Sequence, residues 1–417
     1  MNAGTTGHDT DDSFVLRVTE GMSSFSPAEW ATLGGTSRAG GDIPYNPFVS
    51  HAFLSALEDA GTVARKTGWL PHHLRLELSD GSLLGAVPCY LKSHSQGEYV
   101  FDHAWADALE RAGGSYYPKL QVSVPFTPAT GPRLLAPGDA SADAVRAALA
   151  QGLAALTDRL GVSSAHVTFA ADDDVEALEG AGFLKRTDQQ FHFVNEGYRD
   201  YADFLETLAS RKRKALRKER AAALQNGIEI DRLTGKDLTE AVWDDFYKFY
   251  IDTGSRKWGR PYLNRKFFSL AGERMADDIL LVMARRAGRY VAGAINFIGS
   301  ERLYGRNWGC IEDHPFLHFE VCYHQAIDFA IERGLKVVEA GAQGEHKLAR
   351  GYMPATTHSA HYIAHPGLRR AVADYLERER ADVEQMGEIL EEHGPFRKGS
   401  GAAESVVGRR SSVESED

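Results

Sequence analysis

Three extended runs joined by two tight turns constrain this chain more than any other feature. Residues 279–286, 290–298 and 302–308 are rich in apolar, β-branched and aromatic side chains, with Ala287-Gly288 and Gly299-Ser300 between them. Strand-forming runs separated by two-residue glycine turns predict an antiparallel meander. A helix over residues 319–333 and a strand over 336–340 are expected next, from a shift to helical periodicity and back. Hairpin-linked strands followed by helix and strand predict an α+β fold, with mixed central sheets flanked by helices.

The first half carries the same theme. Residues 74–78 and 83–91 read as strands around the turn Ser79-Asp80-Gly81, and 142–160 as a helix. A strand over 165–170 precedes a short helix over 175–181 closed by Gly182. Later, 190–194 and 228–233 are extended, 201–226 is a long or broken helix, and helices cover 238–252 and 264–275. Two such halves without detectable mutual identity predict a tandem arrangement, 13–187 and 188–393. The flanking tails, 1–12 and 394–417, hold too little apolar surface to order themselves.

Composition excludes some functions. The chain has 417 residues and 47 basic against 58 acidic side chains, a formal net charge of −11. That opposes a general nucleic-acid coat protein but leaves room for one local basic site. Three cysteines without CxxC spacing read as reduced thiols. The first residues lack an apolar signal core, and no apolar run reaches the roughly 18 residues a membrane helix needs. A cytoplasmic protein that inserts in no membrane is expected.

Four constellations carry chemistry. Residues 211–220 hold seven cations and a single carboxylate. Arg213, Arg217 and Arg220 share a helical face, and with Arg211 and Lys214 they suit an anion: a tRNA backbone, CoA phosphates or a phosphorylated acceptor. A solvated helix face is the bland alternative. Arg256, Lys257 and Trp258, in an expected loop after residue 252, combine two cations with an indole that either clamps a ligand or packs in the core. In the strand 304–308, alternation places Tyr304, Arg306 and Trp308 on one face. That face lines a cleft, or Arg306 pairs with a buried carboxylate such as Glu320 or Glu339. The segment 339–352 follows a strand as a glycine-loosened loop, where sites tend to sit. It offers Glu339, Glu345, His346 and Lys347 for catalysis, with Gln343 and Arg350 beside them. Amide formation needs a base for the attacking ammonium and donors for the oxyanion. Glu345 or His346 suits the first role, and Lys347 or Arg350 the second. His318 and Glu320 open the next helix as further substrate-binding candidates. No metal-ligand spacing, catalytic-serine elbow, P-loop or dinucleotide fingerprint is present, so no metal or tightly held cofactor is expected.

Several of these segments together resemble one family. They are Phe191-His192-Phe193-Val194-Asn195-Glu196-Gly197-Tyr198, Ser210-Arg211-Lys212-Arg213-Lys214, Arg256-Lys257-Trp258-Gly259, the run from Leu303 to Gly309, Leu317-His318-Phe319-Glu320, and the run from Glu339 to Lys347. Over residues 190–380 the chain resembles the FemAB-like (peptidoglycan biosynthesis/recognition) group of the GNAT acyltransferase superfamily. In the first half only Tyr45-Asn46-Pro47-Phe48 matches locally. The resemblance implies tandem GNAT-like domains and transfer of an acyl or aminoacyl group from acyl-CoA or aminoacyl-tRNA to a small-molecule or peptide amine. The GNAT pyrophosphate loop is not evident before Phe319, where the chain reads Gly309-Cys310-Ile311-Glu312-Asp313-His314-Pro315-Phe316. That departure favours aminoacyl-tRNA as donor.

Overall fold

The computed structural model describes residues 14–39, 43–258, 261–341 and 344–397, and the side chains at 255–258 and at 345 lie outside the described set. Fourteen strands are described: β1 (Phe14–Thr19), β2 (Trp69–Pro71), β3 (His73–Leu78), β4 (Leu83–Val87), β5 (Cys89–Lys92), β6 (Lys119–Val122), β7 (Ser164–Ala170), β8 (Leu184–Val194), β9 (Ile228–Leu233), β10 (Ile279–Arg286), β11 (Arg289–Ile298), β12 (Arg302–Cys310), β13 (Val337–Glu339) and β14 (Met353–Ile363). β1, β3 and β4 form a small sheet. The other eleven form one mixed sheet in the order β2-β5-β6-β7-β14-β8-β13-β12-β11-β10-β9.

Local chemistry sets most boundaries. The expected strand over 83–91 is cut at Pro88, which has no N–H to donate to a ladder. Asn264 starts the Arg265–Met275 helix by accepting from Phe267 N at 3.0 Å, and Gly161 ends Ala142–Leu160 in the left-handed conformation (φ 64°). The basic stretch is the broken case: Tyr201–Thr207 and Ser210–Ala223 are separate helices, because Leu208 turns extended between them. The Glu240–Trp258 helix runs past residue 252, so Arg256, Lys257 and Trp258 lie on its last turns and not in a loop.

Helices cover both faces of the sheet. Along β10, Ile279, Leu281 and Met283 enter a core built with the His51–Asp59, Glu240–Trp258 and Arg265–Met275 helices, while Leu280, Val282 and Ala284 enter the opposite core. The sheet crosses both halves of the chain. The expected boundary at residue 187 falls inside β8, and β14 is inserted between β7 and β8. The first core also joins the halves through Phe48, whose ring meets Phe297 at 5.0 Å and Tyr304 at 5.1 Å. The packed chain reaches beyond residue 393, since Ala209 N donates to Pro395 O and Phe396 packs on the second core. Among the described residues no helix is long and apolar enough to cross a membrane.

Candidate functional site

The sheet opens at one place. β13 pairs with β12 only at Arg302–Val337, Leu303–Val338 and Tyr304–Glu339, while β12 continues to Cys310. Beyond Tyr304, among the described residues, the second half of β12 has no strand beside it on that edge. Gly305 stands at the fork, where an added Cβ would sit 3.4 Å from Glu339 O, an ordinary contact.

A bulge re-aims β12 here. Ala294 faces Trp308 and Asn296 faces Gly305, so Ile295 alone opposes both Arg306 and Asn307. The extra residue corrects the expected shared face. Tyr304 is buried in the core beside Phe48, whereas Trp308 packs against the opposite one. Arg306 donates to Phe126 O across the two halves and pairs with neither Glu320 nor Glu339. Those carboxylates have other partners. Arg302 reaches Glu339 at 2.9 Å, and Arg220 grips Glu320 at 3.0 and 2.8 Å.

The opposite wall comes from the chain after β12. A helical turn, Leu317–Phe319, leads into a π-helical segment, Glu320–His324, and then into the Gln325–Glu332 helix. Phe316, which precedes it, holds a left-handed φ of 64°. A π segment and a strained non-glycine residue are features that collect at functional sites. His318 lies 5.2 Å from the Trp308 ring and 6.2 Å from the His346 ring, and Tyr323 hydrogen-bonds His346 Nε2 through its hydroxyl at 2.9 Å. Trp308, His318, Tyr323 and His346 thus form one aromatic and imidazole cluster at the mouth of the opening.

The loop residues are held in different ways. Lys347 is 2% exposed, donates to Gly341 O at 2.8 Å, and is pushed down to about 8 by burial. Glu339, also buried, is raised by desolvation against the pull of Arg302. Arg350 lies 3.4 Å over the Phe319 ring and donates to His346 O at 2.6 Å. Its guanidinium also forks onto Glu219 at 2.8 and 2.6 Å. A forked guanidinium that is 5% exposed supports the loop and is poorly placed to receive a ligand. Glu345 begins the Glu345–Arg350 turn with its side chain outside the described residues, as is Gln343.

The basic helix is two-sided. Arg220 is drawn inside by Glu320 and, at 2.7 Å, Asp328, whereas Arg213 and Arg217 pair with Glu206 at the surface, so the expected arginine face is split. The exposed cations of the helix are Arg211, Lys212, Lys214, Arg217 and Lys218, of which Arg211, Lys214 and Lys218 form one stripe. The chain's sequence pattern matches that of the FemAB-like family, described as peptidoglycan biosynthesis/recognition, over residues 21–398.

The chain belongs to the FemAB-like family. This FemAB-like protein is a transferase of the acyl or aminoacyl class. Among solved structures it is similar to FemX, at 12% identity over 76% of this chain and 93% of that one, with a TM-score of 0.48. It is also similar to L-PGS from Bacillus licheniformis (10%, 82% and 99%, 0.47) and to a tandem GNAT protein from the clavulanic acid biosynthesis pathway (10%, 85% and 99%, 0.42). No curated protein matches the chain in sequence.

Residues without a strong local pattern pack beside these walls. Tyr201, Glu219 and His324 form a chain of contacts: Tyr201 Oη to His324 Nδ1 at 2.6 Å, and His324 Nε2 to Glu219 at 2.9 Å. A second polar group lies in the first half. Lys92, Lys119, Glu98 and Asp102 are all buried; burial pushes Lys92 down to about 7. Burial alone would raise Asp102, but Lys119 at 2.6 Å and His166 hold it well below the usual carboxylate range. The only local signal for this group is alternation of polar residues along β6, Lys119 and Gln121, where a core strand would be apolar.

Proposed function

We propose that this FemAB-like protein forms amide bonds, taking an aminoacyl group from aminoacyl-tRNA and delivering it to an amine. The opening between β12 and β13 supports the reading, because Trp308 and His318 there lie beside His346 on the turn that also carries the buried Lys347. In the step proposed, the acceptor nitrogen attacks the ester carbonyl carbon of the donor. A C–N bond forms, the C–O bond to the tRNA ribose breaks, and the ribose oxygen leaves with a proton. The ammonium proton passes to a base on the loop, His346 or the neutral fraction of Lys347, the latter enlarged by its lowered pKa. Protonated Lys347, fixed on Gly341 O, is the loop cation available where negative charge develops, and a fixed donor there stabilises it. Trp308 and His318 offer flat surfaces for the donor, Glu339 fixes Arg302 at the fork, and Arg350 and Glu320 hold the walls.

Arg211, Lys214 and Lys218 supply the positive surface for the tRNA backbone in an otherwise acidic protein. The family's description points to an amine on a peptidoglycan precursor as acceptor. A cytoplasmic location fits a tRNA-dependent reaction. The deciding experiment is an amide-forming assay with aminoacyl-tRNA and with acyl-CoA, each with and without RNase. RNase-sensitive product from aminoacyl-tRNA supports the reading, and RNase-insensitive product from acyl-CoA alone removes the tRNA donor.

A further inference from the structure

In the basic run 211–220 one residue has the wrong sign. Glu219 sits among seven cations, yet it does not face solvent with them. Leu216, Glu219, Arg220 and Ala223 recur at helical spacing on the inner face of the Ser210–Ala223 helix, while Arg211, Lys214 and Lys218 recur on the outer one. Both oxygens of Glu219 are engaged. Oε1 accepts from Arg350 Nε at 2.8 Å and from His324 Nε2 at 2.9 Å, and Oε2 accepts from Arg350 Nη2 at 2.6 Å. Burial raises the carboxyl, but these hydrogen bonds hold it below its ordinary value, so it is anionic at neutral pH. His324 receives the Tyr201 hydroxyl on Nδ1, which leaves Nε2–H to donate to Glu219.

Glu219 therefore touches both walls of the opening at once: the π segment through His324 and the Glu345–Arg350 turn through Arg350. Its neighbour Arg220 grips the same π segment through Glu320. Arg350 in turn donates to His346 O, and His346 meets Tyr323 of the π segment. The contacts close a ring through the helix, the π segment and the turn. A displacement of the helix cannot be absorbed at one joint without moving the other.

We propose that Glu219 is a positioning residue that couples the outer face of the basic helix to the Glu345–Arg350 turn, so that an RNA phosphodiester backbone engaged by Arg211, Lys214 and Lys218 orders His346 and Lys347. The inference rests on the reading of that stripe as the donor's anion site. Glu219 touches no substrate in this scheme. It makes the occupied helix and the ordered turn one state, which is what a coupling free energy between two sites requires.

The test uses the full chain with unfractionated deacylated tRNA as probe. Two quantities are measured: equilibrium binding, and hydrogen exchange of backbone amides over residues 345–352 with and without tRNA. The variants are Glu219→Gln, Glu219→Asp and Lys214→Ala/Lys218→Ala, with thermal melting to confirm that each is folded. In the wild type, tRNA should slow exchange of the turn by about tenfold, within the usual range of such couplings. Glu219→Gln should bind tRNA within about twofold of wild type, since the residue lies off the binding face, yet lose the tRNA-induced slowing. Glu219→Asp should recover part of it. The lysine variant should lose binding and slowing together. Equal slowing in wild type and Glu219→Gln would overturn the coupling while leaving the tRNA site in place. Absence of tRNA binding to the wild type would overturn the donor reading and the coupling with it.

Discussion

At the scale of single residues, Lys347 is the most informative. A lysine that is 2% exposed with a carbonyl as its described hydrogen-bond acceptor is held in an unfavourable place for a charge, and burial lowers it to about 8. If its neutral form takes the acceptor's proton, the rate should rise with pH and level off near pH 8, and Lys347→Met should lower kcat by about 10²–10⁴-fold. A pH–rate profile from pH 6 to 9.5 on both proteins checks this. A wild-type profile without a bend near pH 8 would remove Lys347 as the base. Arg350 is expected to behave differently, because Glu219 and Phe319 hold it. Removing it leaves a half-buried carboxylate short of two donors, so Arg350→Met should cost about 1–3 kcal/mol of stability, read by urea unfolding.

Elements show where local pattern suffices. The strand over 228–233 and the helix over 142–160 stand as periodicity places them, because each has an uninterrupted pattern with a glycine at one end. The β12 bulge was not legible, since one residue too many in a strand leaves no mark on alternation until the partner's register is known. Glu219 was visible as the odd charge in its helix, but its partners His324 and Arg350 are more than a hundred residues away. The same holds for the lysines and acids around Asp102, which only pairing of β5, β6 and the following helix brings together. Two glycines give opposite predictions. A Cβ on Gly309 would lie 2.1 Å from Phe249 O, wedging β12 from the Glu240–Trp258 helix, so Gly309→Ala should cost about 1–3 kcal/mol. Gly180, at the end of Asp172–Gly180 with nothing within 4 Å, should accept alanine with a gain of about 0.4–1 kcal/mol. Thermal melting of the two variants decides both.

The whole molecule unfolds, on this topology, as one unit. Eleven strands in one sheet, with β14 between β7 and β8, leave neither half a complete sheet of its own. A single calorimetric transition is expected, and a fragment ending at residue 187 should not fold. Acid should weaken the protein above the range where ordinary carboxylates titrate. Burial pushes His166 and His192 down to about 3 and His361 well below its usual value. Between pH 6.5 and about 3 the unfolded chain binds protons that the folded chain refuses, so stability falls as pH drops. Each fully refused proton contributes about 1.4 kcal/mol per pH unit. Urea midpoints at pH 7 and pH 5 test this, and equal midpoints would mean that these imidazoles accept protons in the folded state.

The placement of β14 also bears on how the chain is made. A ribosome releases β7 and β8 long before Met353–Ile363, the strand that must lie between them. Until then two long strand edges stand unfilled on the nascent chain, the kind of exposure that recruits wrong partners. Synthesis of this protein should therefore lean on holding chaperones for most of its course, with the final fold locking in only after the last strand has emerged.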